Sequence, residues 1–74
     1  MKYPPNPFHA GTQNHRLYER LTKGPIYNHE IVHDLNILKY TGRLSNVREA
    51  VRPYLINLEA KRIERGRWKY RLIG

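Results

Sequence analysis

At Pro53 the spacing of apolar residues changes, and that change limits the folds open to this chain. Before it, in residues 41–53 (TGRLSNVREAVRP), Leu44, Val47 and Val51 recur at helical spacing on one narrow face, with Ala50 at its border. After it, Ile56, Leu58 and Ala60 alternate with Asn57, Glu59 and Lys61, the two-residue period of a strand with one buried face. Pro53 itself stops the helix, because its ring and missing N–H oppose the preceding turn. The run Glu64-Arg65-Gly66-Arg67 reads as a turn centred on Gly66, and Trp68, Tyr70 and Leu72 then alternate with Lys69 and Arg71 in a returning strand. Ile63 is out of phase with Ile56 and Leu58, which predicts a bulge near positions 61–62. Trp68 and Tyr70 are expected to cap the core against Leu17, Leu21 and Val47, in preference to stacking on bases.

Upstream, residues 1–11 (MKYPPNPFHAG) hold Pro4, Pro5 and Pro7, so this stretch is expected to be an extended, proline-rich arm. Tyr3 and Phe8 offer anchors to the core; a frayed terminus, or a basic-aromatic arm that touches DNA or a second subunit with Lys2 as its one charge, are the alternatives. Thr12 is a good N-cap for a helix from Gln13 to about Lys23, in which Leu17 and Leu21 stack with Tyr18 beside them. Gly24 and Pro25 end it, Ile26 and Tyr27 suffice only for a short strand, and Asn28 is the expected cap of a second helix over residues 29–35. Ile31, Val32 and Leu35 face inward on that helix, Asn36 takes its terminal left-handed turn, and residues 37–40 lead to the central helix. The organisation is thus an arm (1–11) and one domain (12–74).

A single domain of 74 residues has a marginal core, so every element must contribute its apolar face. The charge is the informative part: 14 Lys and Arg stand against 6 Asp and Glu, for a net +8. Residues 42–74 carry nine basic and three acidic side chains, and residues 1–41 five and three. A basic excess gathered in one half is the electrostatic footprint of a polyanion binder. The absence of cysteine removes disulfides and thiolate metal sites and suits a reducing cytoplasm. No signal-peptide pattern occurs, and no segment approaches the roughly 20 apolar residues that span a bilayer, so neither secretion nor a membrane role is expected.

His29-Glu30-Ile31-Val32-His33 matches H-E-x-x-H, the spacing in which two helical histidines bind zinc and the glutamate activates water. No third ligand sits in a recognisable second motif, and Glu30 in the first turn of a helix also favours the helix dipole. His9 and His15 would at most complete an adventitious site. With no phosphate loop, nucleophile elbow or paired carboxylates either, the chain is expected to be no enzyme and to hold no metal or cofactor.

The order of elements is helix, short strand, helix, helix, and a hairpin with a basic tip. In that order, residues 24–31 (GPIYNHEI), the helix at 43–48 (RLSNVR) and the hairpin end at 66–72 (GRWKYRL) resemble the winged helix-turn-helix domains of small phage and prophage DNA-binding proteins. The likeness covers roughly residues 12–73. Two features depart from the pattern: a longer connection between the second and third helices, and Pro53-Tyr54 where a glycine often follows the recognition helix. The resemblance implies a small α+β fold of three helices and a C-terminal β-hairpin wing. It also implies that the central helix enters the major groove of double-stranded DNA and that the wing lies on the backbone.

On that basis Arg43, Ser45, Asn46, Glu49 and Arg52 are the expected base contacts, since Arg reads guanine, Asn reads adenine and Glu can accept from cytosine. Arg48, Lys61, Arg62, Arg65, Arg67, Lys69 and Arg71 are the expected backbone contacts, which position without specifying. The implied function is transcriptional regulation, or an architectural role in recombination, in a phage or mobile element, at the nucleoid of a bacterial host cell. A homodimer on paired half-sites and monomers side by side are both open. The alternative from another class is a protein-interaction winged helix, whose basic face meets an acidic host protein.

Overall fold

Thr12 starts the first helix as its chemistry predicts: its Oγ1 accepts a hydrogen bond from the His15 N–H at 3.2 Å. In the computed structural model, which describes residues 3–74, α1 (Gln13–Thr22) is followed by β1 (Ile26–Tyr27), α2 (Asn28–His33) and α3 (Tyr40–Val51). A 3-10 turn (Arg52–Tyr54) then leads to β2 (Asn57–Glu64) and β3 (Arg67–Ile73). The fold is a small α+β domain of three α-helices and one three-stranded antiparallel sheet, ordered β1-β3-β2. No described helix is long and apolar enough to cross a membrane.

One core joins the elements. Leu17, Tyr18 and Leu21 of α1, Ile31 of α2, and Leu44, Val47 and Val51 of α3 are buried with Ile26, Ile37, Ile56, Leu58, Tyr70 and Leu72. Removing each such side chain from water contributes about 1.5–3 kcal/mol, so no element is dispensable in a chain this short. The sheet register shows which strand residues share that core. Ile26 faces Tyr70, Leu58 faces Leu72 and Ala60 faces Tyr70, so the helices cover this side of the sheet. The bulge falls between Arg62 and Glu64, at Ile63, one step beyond the position its phase predicted.

Three expectations are corrected. Asn28 does not cap α2: the cap residue is Tyr27, and the Glu30 carboxylate accepts from the Tyr27 N–H at 2.9 Å. Helix α2 ends at His33 and α3 begins at Tyr40, two residues and one residue earlier than their spacing suggested. Trp68 is not in the core; it is 37% exposed, on Tyr70's side of β3 but one pair nearer the turn, opposite Arg62. Tyr70 is buried as expected, and its ring meets Tyr40 edge-on at 6.3 Å.

Pro53 ends α3 by tightening it into the 3-10 turn, and Leu55 takes the left-handed conformation (φ 59°) that reverses the chain. A leucine there is strained relative to glycine. The proline-rich segment lies along α1: Tyr18 donates to the Pro4 carbonyl at 2.6 Å, and Asn6 donates to the His15 carbonyl and to Glu19. Tyr3 and Phe8 pack on the core, so residues 3–8 are pinned to the domain. Lys2, the cation of the DNA-arm alternative, lies outside the described residues.

Candidate nucleic-acid interface

Helix α3 turns about 100° per residue, so burying Leu44, Val47 and Val51 fixes where its other side chains go. Ser45, Asn46, Glu49 and Arg52 are exposed on the opposite side, while Arg43 and Arg48 occupy the flanks. Each flank is tied to a neighbouring element. Arg43 donates from Nε to Gln13 Oε1 of α1 at 3.1 Å, and half-buried Arg48 donates to the Leu58 carbonyl of β2 at 3.4 Å. On the outer face Arg52 pairs with Glu49 at 2.9 Å. That pair is solvent-exposed and holds together by no more than about 1 kcal/mol, so an approaching phosphate or base can separate it.

The hairpin divides its cations by strand parity. Arg62 faces Trp68 across the strands and shares the side occupied by the helices. Lys61 faces Lys69, and Glu59 faces Arg71, on the outer side, with Arg71 Nε donating to Glu59 at 2.6 Å. Arg65 stands in the turn, and Arg67 beside it pairs with Glu64 at 3.4 Å. Gly66 holds the turn with a positive φ of 77°, which a side chain would strain. The structure therefore brings together Ser45, Asn46, Glu49 and Arg52, with Arg43 and Arg48 beside them. It separates Lys61, Lys69 and Arg71 from that group by the sheet itself.

Sequence reasoning missed two positioning residues. Gln13 orients Arg43, and nothing in its local sequence signals this. Asn28 donates from Nδ2 to the Gly66 carbonyl and accepts at Oδ1 from the Trp68 N–H, both at 3.1 Å. Its amide thereby continues the β1–β3 ladder one step past Tyr27 and braces the basic turn. Glu30, three residues after Tyr27, is the available clue: capping-box spacing points to Tyr27 as the cap and leaves Asn28 free.

The H-E-x-x-H residues have local roles here. His29 stacks on Tyr27 with ring centroids 5.7 Å apart, and Glu30 is engaged by the Tyr27 N–H. Among the described residues no three His, Asp or Glu side chains come together as a metal site. In comparisons with protein-family models, curated proteins and solved structures, nothing matched this chain.

Proposed function

We propose that the domain is a winged helix-turn-helix that binds double-stranded DNA, with α3 in the major groove and the β2–β3 turn against the backbone. The observation that carries this reading is the outer face of α3. There Ser45, Asn46 and Arg52 stand clear of the core, flanked by two arginines held in place by neighbouring elements. Asn and Arg are the side chains whose paired donors and acceptors match adenine and guanine edges. The net charge of +8 supplies the sequence-independent attraction to phosphate. Asn46 and Arg52 read bases; Arg43 and Arg48 serve the edges of the groove; Arg62, Arg65 and Arg67 meet phosphates. Regulation of transcription or an architectural role in recombination, in a phage or mobile element at the bacterial nucleoid, follows from the family resemblance. Two copies on adjacent half-sites strengthen binding by such a small domain.

The division of labour is tested by comparing variants on a selected site and on random duplex. Asn46→Ala lowers the preference for the selected site by about 1–3 kcal/mol and leaves random-duplex binding nearly unchanged. Arg67→Ala weakens both alike and reduces the salt slope by about 0.9. Uniform loss from both substitutions contradicts the assignment.

A further inference from the structure

We propose that the outer face of the sheet is a second anion site, built on Lys61, Lys69 and Arg71, for the phosphodiester backbone of a second duplex segment. One copy of the chain then holds two segments together. The first segment rests on the duplex-binding reading above; the anion site itself does not.

Lys61 and Lys69 are directly opposed across β2 and β3, an arrangement that destabilises an antiparallel pair unless something offsets the repulsion. Among the described residues no carboxylate pairs with either lysine. Glu59, the acid that lines the same concavity, is engaged by Arg71 Nε, and among the described residues the terminal nitrogens of Arg71 have no acceptor. These side chains and Ala60 line a shallow concavity of about 330 Å³ that carries three cations against one carboxylate. Edge protection explains a lysine on β2, which has an unpaired edge. It does not explain Lys69, which sits half-buried on the central strand between Tyr27 and Lys61. Tyr27 shares this side of the sheet and carries the stacked His29 ring, so a flat aromatic surface adjoins the cations.

The surface is distinct from α3. The helices cover the other side of the sheet, where Leu58, Tyr70 and Leu72 are buried, so Lys61 and Lys69 point away from the helical layer. A phosphate held at Lys61 and Lys69 relieves their repulsion, and the helical side remains free for other DNA.

The test uses the full chain and the Lys61→Ala/Lys69→Ala double variant. A biotinylated duplex is fixed to beads, and retention of a second, fluorescent duplex is read alongside the affinity for one short duplex in solution. The wild type is expected to retain the second duplex. The double variant should lose retention about tenfold or more while its short-duplex affinity changes by less than about twofold. Retention by the double variant equal to wild type, parallel loss of both readouts, or no retention by a wild type that binds the short duplex tightly overturns the bridging of two segments. Amide NMR titration with inorganic tripolyphosphate separates this site from the duplex reading. Shifts at Tyr27, Lys61 and Lys69, abolished in the double variant, support the anion site even if no duplex binds. Their absence in the wild type overturns it even if α3 does bind DNA.

Discussion

Replacing Asn28 with alanine removes two hydrogen bonds that span 38 and 40 residues of sequence and hold the basic turn to the start of α2. Each bond is 3.1 Å long and exposed, so each belongs at the lower end of the usual net contribution of about 0.5–1.5 kcal/mol. The expected loss is about 1–2 kcal/mol in total. With a urea dependence of about 1 kcal/mol per molar for a domain this small, the unfolding midpoint falls by about 1–2 M. Amide exchange localises the effect. Global destabilisation of that size speeds the slowest amides of α1 by about 5–30-fold, and the Trp68 N–H, which also loses its acceptor, is accelerated by more than they are. Asn28→Asp keeps the acceptor for Trp68 but loses the donor to Gly66, and lies between alanine and wild type. Faster exchange at Glu30 and Ile31 with Trp68 unaffected would show that Asn28 caps the helix after all, and refute the bracing role.

Glu49 stands among the exposed groups of α3 and neutralises Arg52, so Glu49→Gln is expected to raise affinity for random duplex several-fold at low salt, with the gain shrinking as salt rises. A loss of affinity on all sequences in the same anisotropy assay contradicts this. Burial raises the Tyr18 hydroxyl above its ordinary value of 10.0, helped by the Glu19 carboxylate. Burial also raises Tyr70, with the Tyr40 phenol adding to it. A raised folded-state value means that both contributions are complete below about pH 10 and are lost as pH climbs through the folded-state values. Stability measured by denaturant should therefore fall above pH 10. Tyr18→Phe should flatten that fall while costing about 1 kcal/mol at neutral pH through the lost bond to Pro4. An alkaline slope identical in Tyr18→Phe and wild type removes Tyr18 as a cause.

Much of the fold was legible because burial leaves a period in the sequence. Leu44, Val47 and Val51 mark the hidden face of α3, and their spacing alone places Ser45, Asn46, Glu49 and Arg52 on the exposed one. Ile63 announced its bulge by breaking the alternation, and Thr12 announced a helix start by its hydroxyl. Trp68 shows the limit of such reasoning. Alternation tells which side of a strand a residue takes, but not how far along the strand the opposing helices reach. Asn28 shows another: an amide at a helix start can cap locally or reach a segment distant in sequence, and only the packing decides. The split between Arg62 and the Lys61, Lys69 and Arg71 group was also written in strand parity. Its consequence emerged only once the helices were seen to cover one side of the sheet. The ties from Gln13 to Arg43 and from Arg48 to Leu58 leave no local signature at all.

Fluorescence anisotropy with a random-sequence duplex and its matched single strand, across a salt series, tests the central claim most directly. The proposed interface predicts tighter binding to the duplex, with log affinity falling linearly against log salt at about −0.9 for each phosphate contact. No duplex binding at low salt, or equal binding to the single strand, would contradict it.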